Sequence, residues 1–363
     1  MPRLRDLGVI PRYWSYNPGP RNSITDVEDV VVGHVTLVKG EGKLIPGKGP
    51  VRTGVTVVLP HRGNIFREKV PATTHVINGF TKAIGLIQVD ELGFLESPIA
   101  LTNTLNVGIV ADGLIEYLIH ENPDIGITTT SVNPVVLECN DSFLNDIQGR
   151  HVKQHHVLEA IERASTEVSE GSVGGGTGLR SFGFKSGIGT ASRIVKTSIG
   201  SFTIGVLVQS NFGLRENLVI AGVPVGKLLG GNRTDTSDQG SINIVIATNA
   251  PLTPRQLKRI AKRTHIGIAR VGGLTSHGSG EVVIAFSTNY HILHDAHKLL
   301  KMEVLPDIEL NPLFKAVVEA TEEAILNSLF QSHTMIGRDN HVVPGIPVKE
   351  VVEIIKKYKD LLS

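Results

Sequence analysis

The chain has few of the residues that announce a special environment: one cysteine, one tryptophan and three methionines in 363 residues, with aromatics at only 5%. A lone cysteine, Cys139, excludes an intrachain disulfide framework and any multi-cysteine zinc site. No basic cluster surrounds it in the sequence, so it reads as a small buried hydrophobe and not as a nucleophile. An excess of one charge is missing too. Lys and Arg total 36 against 35 Asp and Glu, a net charge of +1, so there is no global pull toward nucleic acid or anionic membrane. No apolar run is long enough to span a bilayer, and the first residues, MPRLRDLGVIPRYWSYNPG, mix charges and prolines where a signal peptide needs an unbroken apolar core. A cytoplasmic protein with neither nucleic-acid nor membrane partners is expected.

What is present is a globular composition, 40% apolar and 20% charged, with 39 glycines that cluster. Short β-branched runs predict strands at 30–38, 54–60, 126–133, 188–195, 202–209, 242–248 and 281–286. Helical spacing of apolar residues predicts helices at 110–121, 154–168, 253–270, 311–330 and 347–361, the third opening on Thr253-Pro254 as N-cap and N1. Strands and helices alternate in groups and not in strict βαβ order. That favours an α/β (α+β) layered sandwich with mixed or antiparallel sheets, while length alone leaves one domain or two open.

Two attractive motifs fail on detail. The glycines at 174–178 (GGGTG) lack the spacing of a dinucleotide fingerprint, and Lys185 is misplaced for a P-loop, so close backbone approach or tight turns explain them better. His151 and His155 could share a helical face, but Val152 stands where a zincin needs glutamate. His277 is retained only as a reserve general base.

The segment 235–252, DTSDQGSINIVIATNAPL, carries more. A polar, turn-prone stretch ends at Gly240, and a β-branched strand begins at Ser241. On composition this is a loop meeting a strand. Chemically it is also what a self-cleaving hydrolase needs. A glycine tolerates the backbone geometry of attack on its own carbonyl, and a nucleophile at the strand start stays pinned in the site after the cut. A freed α-amine at Ser241 would have a pKa near neutrality, suited to serve as a base.

Seven stretches resemble the L-aminopeptidase/D-esterase (DmpA) family, which includes the β-peptidyl aminopeptidases. They are RTGVTVVLP (52–60), LTNTLNVG (101–108), PVVLECNDSFLNDI (134–147), GGGTG (174–178), VQSNFG (208–213), QGSINIVIATNAPL (239–252) and GSGEVVIAFSTN (278–289). The resemblance implies a single domain over 1–363, a four-layer αββα sandwich similar to the N-terminal nucleophile hydrolases but differently connected. It implies cleavage between Gly240 and Ser241 into 1–240 and 241–363, with Ser241 as nucleophile, Ser279 and Glu281 hydrogen-bonding toward it, and Asn211 as the oxyanion-stabilising amide. The family type has a tyrosine in the segment matching 140–146, where this chain has Phe143 and so lacks a phenol. Glu138 is a candidate to bind a substrate's α-ammonium, since an aminopeptidase needs a negative group there. Small peptides, amino-acid amides or esters are the expected substrates, without metal or organic cofactor, in a homo-oligomer, often a tetramer in this family. Two alternatives stay open: an acyltransferase of the ornithine acetyltransferase type, and an uncleaved non-catalytic binding protein.

Overall fold

The computed structural model describes residues 1–229 and 240–360; the turn-prone approach to the junction, 235–239, lies outside them. Nine main strands follow in chain order: β1 (Val31–Lys39), β2 (Val51–Leu59), β3 (Glu68–Gly79), β4 (Ile99–Asn103), β5 (Val135–Cys139), β6 (Ile188–Lys196), β7 (Ser201–Asn211), β8 (Ser241–Thr248) and β9 (Gly280–Ser287). The longer helices are α1 (Val107–Glu121), α2 (Gln154–Glu162), α3 (Pro254–Ala261), α4 (Thr264–Arg270), α5 (Leu310–Phe330) and α6 (Val348–Asp360).

Among the described residues, one sheet runs β1-β2-β4-β5. The other runs β3-β9-β8-β7-β6, with the short strands Phe94–Leu95 and Ile292–Leu293 pairing with β3. Pairing is antiparallel except for β4 with β5 and β8 with β9, so both sheets are mixed.

Three apolar cores separate four layers. Val110 and Leu114 of α1 and Val157 of α2 pack on Val55 and Val57 of the first sheet. Leu101 and Leu137 of that sheet meet Leu207, Val245 and Ile284 of the second. Beyond it, Ile244 and Val206 pack under Leu257 of α3 and Val317 and Ala324 of α5. The layers are therefore helix, sheet, sheet, helix, as the resemblance implies.

This arrangement aims the site. Side chains alternate along a strand, and on β8 Ile242, Ile244 and Ile246 turn to the helices while Val245 and Ala247 turn to the inter-sheet core. Ser241 and Asn243 share the second parity and so face the other sheet. Every residue of β8 is buried, and the polar Asn243 spends its Nδ2 on the Glu138 carbonyl at 2.8 Å and Gln209 Oε1 at 2.9 Å.

The structure departs from the sequence expectations in places. Residues 126–133 run through a turn at 126–128 into irregular backbone, with Ile127 exposed, and the strand lies at Val135–Cys139 instead. The Thr-rich run at 128–130 has too little apolar surface to hold a central position, whereas Val135 and Leu137 are core residues. β3 carries no strand signature in sequence, because Pro71 and two threonines interrupt its apolar pattern, yet it pairs with β9 along most of its length. The helix expected at 253–270 is two helices, broken at Lys262–Arg263, although its Thr253–Gln256 capping box forms. That expected at 154–168 ends at Glu162.

α5 carries three buried glutamates that anchor the N-terminal segment. Glu319 and Glu323 hold the fully buried Arg193 at 3.2 and 2.7 Å. Glu323 also holds Arg5, and Glu322 accepts from Tyr13 and Trp14. Such ions fold only when paired. Among the described residues no helix is long and apolar enough to cross a membrane.

Candidate active site

Three strand ends meet at Ser241. It stands opposite Asn211 at the end of antiparallel β7 and opposite Gly280 at the start of parallel β9. The backbone N–H of Gly280 donates to the Gly240 carbonyl at 3.1 Å and lies 3.4 Å from Ser241 Oγ. The hydroxyl and the carbonyl immediately before it are thus gathered on one donor. No Cβ fits at Gly240: it would stand 2.2 Å from the Asn211 carbonyl oxygen and 2.7 Å from Phe212 Cα, both backbone. Glycine at 240 is therefore a packing requirement of the strand junction.

Asn211 and Ser241 are both buried. The Asn211 amide is fixed at both ends: Nδ2 donates to the Asn140 carbonyl at 3.1 Å, and Oδ1 accepts from Arg180 N at 3.1 Å. One N–H of that Nδ2 remains for another acceptor. Ser279 and Glu281 flank Gly280, and Ser279 Oγ donates to Glu281 Oε1 at 2.9 Å. Their i, i+2 spacing does place both on one side, and both are buried. Asn78 of β3 steadies the preceding turn by donating to the carbonyls of Ser276 and Ser279. His277 sits on the exposed outside of this turn with its ring near Phe80, so it is not brought to Ser241.

A cavity of about 220 Å³ opens over the strand ends, lined by Ser241, Asn211, Glu138, Phe143, Arg180 and Thr104 among others. Glu138 is buried, yet its carboxylate reaches this wall and is oriented by three donors. Oε1 accepts from Thr81 Oγ1 at 3.1 Å and Lys82 N at 3.0 Å, and Oε2 accepts from Thr104 Oγ1. Phe143 presents its ring, stacked on His341 at 4.6 Å. Sequence reasoning missed Gly280, Asn78, Thr81 and Thr104. Thr104 lies inside the quoted LTNTLNVG stretch and Gly280 inside GSGE, but nothing in their spacing says which strand ends they meet.

Beneath the site lies a buried polar floor. Cys139 points between the sheets toward the carbonyls of Gln209 and Ser241, and burial pushes its thiol well above the usual range, as suits an inert packing residue. Asp141 is pushed up to about 7 by burial, against hydrogen bonds from Thr53 and Asn145. Burial likewise lowers Lys185 to about 7; its ammonium donates to the carbonyls of Gly176 and Ser186. The 174–178 glycines form a tight turn wedged on β4, where a Cβ at Gly175 would lie 2.4 Å from the Leu101 carbonyl oxygen. That is the close backbone approach expected. His151 precedes α2 and pairs with Asp146 at 3.0 Å, so it shares no helical face with His155.

The fold is thus an αββα sandwich with a cavity over its converging strand ends. A model of peptidase family S58 matches residues 22–343, and the chain belongs to that family; it is an aminopeptidase-type hydrolase. It is 43% identical to the β-peptidyl aminopeptidase BapA of Sphingosinicella microcystinivorans over 379 aligned positions, which cover 100% of this chain and 94% of that protein. The solved structure of the PH0078 protein from Pyrococcus horikoshii OT3 matches with a TM-score of 0.94 and 55% identity, covering 98% of this chain and 99% of that one. The L-aminopeptidase D-Ala-esterase/amidase of Ochrobactrum anthropi, described as a variant of the Ntn hydrolase fold, matches with a TM-score of 0.92 and 36% identity over 99% of both chains.

Proposed function

We propose that the chain cuts itself between Gly240 and Ser241 and then works as a serine aminopeptidase with the new N-terminal Ser241 as nucleophile. The observation that carries this reading is the single Gly280 N–H shared by the Gly240 carbonyl at 3.1 Å and Ser241 Oγ at 3.4 Å. Attack of Oγ on the Gly240 carbon places developing negative charge on an oxygen that already has a donor. The C–N bond to Ser241 then breaks, its nitrogen takes the hydroxyl proton, and an ester forms. Water hydrolyses that ester, leaving 1–240 with a carboxylate and 241–363 with a free amine beside a free hydroxyl.

In the second reaction the same hydroxyl attacks a substrate carbonyl. Asn211 Nδ2 and Gly280 N–H supply oxyanion donors, and the Ser241 amine accepts the hydroxyl proton and passes it to the leaving amine. Ser279 and Glu281 act as one bonded unit that orients the hydroxyl and stabilises the ammonium form of the amine. Glu138, fixed by Thr81, Lys82 and Thr104, measures the substrate's free N-terminus. Substrates are small peptides, amino-acid amides or esters, as the names of the relatives suggest, including N-terminal β-amino acids. The enzyme is a cytoplasmic homo-oligomer on this reading, and neither step calls on a cofactor.

Intact mass measurement and a denaturing gel test the first step. Wild-type protein should resolve into pieces matching 1–240 and 241–363, and Ser241→Ala should stay whole and be inactive on aminoacyl nitroanilides. A cut Ser241→Ala protein, or an uncut but active wild type, refutes the scheme.

A further inference from the structure

The stretch of chain that leaves β3 brings a cation to the site. Gly79 pairs with Gly280, and the Phe80 carbonyl packs so closely there that a Cβ on Gly280 would stand 2.5 Å from its oxygen. From this point the chain crosses to the other sheet. Ile84 forms an antiparallel bridge with Val136 of β5, with both backbone bonds made, at 2.9 and 3.2 Å. Phe80, Thr81 and Lys82 lie between these two anchors. Thr81 Oγ1 and Lys82 N both donate to Glu138 Oε1, at 3.1 and 3.0 Å. The segment therefore joins the Gly280 end of the cavity to its Glu138 end, and Phe80 and Lys82 both line that cavity.

Lys82 is exposed, and its side chain lies over the Phe80 ring with Nζ 4.4 Å from the centroid. A ring face holds an ammonium through its quadrupole and occupies none of its N–H donors. Among the described residues no carboxylate pairs with this ammonium, although Glu138 accepts from the same residue's backbone. One wall thus carries an anchored carboxylate and, within the length of one lysine side chain, an ammonium that does not neutralise it. That pair complements a zwitterion of the opposite sense. A first residue whose amine rests on Glu138 and whose carbonyl rests at Ser241 would place a further carboxylate beside Lys82. Two linkages supply one: aspartate joined through its α-carbonyl, and aspartate joined through its β-carbonyl, where amine and carboxylate share one carbon.

We infer that Lys82, held over Phe80 beside Glu138, binds a carboxylate on the substrate's first residue, so that acidic N-terminal residues are preferred over their neutral carboxamide counterparts. The inference rests on the aminopeptidase reading with Ser241 as nucleophile, and it deepens that reading by naming the class of first residue. Lys82 sets specificity; it does not touch the reacting atoms.

The test compares kcat/KM on two pairs of nitroanilides of equal shape: α-aspartyl against asparaginyl, and β-aspartyl against its α-carboxamide. It uses the processed wild type, Lys82→Met, which keeps the apolar stem without the charge, and Lys82→Arg, which keeps the charge. A partly exposed charge pair is expected to give the wild type a roughly three- to tenfold preference for the acid in at least one pair, carried by KM and shrinking with added salt. The pair that shows it identifies the linkage accepted. Lys82→Met should bring that acid-to-amide ratio to about one or below, and Lys82→Arg should retain a preference. Wild-type ratios near or below one in both pairs overturn the inference without any variant. So does a Lys82→Met enzyme that keeps the wild-type ratio, and so does a wild type that cleaves alanyl or β-alanyl nitroanilide but none of the four. A wild type that cleaves none of the six refutes the aminopeptidase reading itself.

Discussion

Replacing Gly240 by alanine tests whether self-cleavage depends on the packing at the strand junction. The added Cβ would stand 2.2 Å from the Asn211 carbonyl oxygen, where an ordinary contact is at least 3.4 Å, so the backbone there must move by more than 1 Å. The obstacle is backbone on β7, so no side chain can swing away to relieve it. Overpacking of this size costs about 1–3 kcal/mol of stability, which a domain with this much buried core should survive. The effect on reaction is larger. The Gly240 carbonyl and Ser241 Oγ are gathered on the Gly280 N–H, and displacement of about 1 Å from a productive geometry costs on the order of 10²-fold in rate. Freshly purified Gly240→Ala protein should therefore melt within several degrees of wild type yet convert to two chains about a hundred times more slowly, followed on a denaturing gel with intact-mass confirmation. Cleavage at the wild-type rate in a folded variant would refute the reasoning, because the carbonyl's placement would then not matter.

Asn211→Ala should lower kcat by on the order of 10²–10³ with little change in KM, the usual cost of an oxyanion donor, read from initial rates on an aminoacyl nitroanilide. Glu138→Gln should raise KM for substrates with a free amine by roughly ten- to a hundredfold, and more than it lowers kcat. Arg193→Met should destabilise by about 3–5 kcal/mol in denaturant titration, since buried Glu319 would lose its ion pair with Arg193 and Glu323 would keep Arg5 but lose its second cation. Asp141 has a folded-state pKa raised to about 7 from 3.8. The folded chain keeps a proton that the unfolded chain releases, so Asp141's contribution to stability is complete below about pH 4 and is lost as pH rises through 7. Asp141→Asn should flatten that decline in melting temperature between pH 4 and 7.

The physics of sequence reading explains which elements were legible. β8 announced itself because SINIVIAT is β-branched throughout and bounded by glycine, and α5 because its apolar residues recur at helical spacing. β3 did not, since Pro71, two threonines and His75 break the apolar pattern, and its strand state comes from pairing with β9. The three glutamates of α5 look like a solvated face in sequence; only the docking of Arg193, Arg5 and Trp14 makes them interior.

The candidate site divides the same way. The Gly240–Ser241 junction, the Ser279–Glu281 spacing and the identity of Asn211 follow from the chain alone together with its family resemblance, because each is a local arrangement of residue types. What the sequence could not hold is which strand ends converge. Gly280 N–H reaches Gly240 and Ser241 because β8 and β9 run parallel in one register, and Glu138 reaches the cavity because a second sheet packs across the first. Phe143, which in sequence is simply a missing phenol, becomes in three dimensions the ring between Arg180 and His341. Those relations span tens to hundreds of residues, and only the packing of the two sheets fixes them.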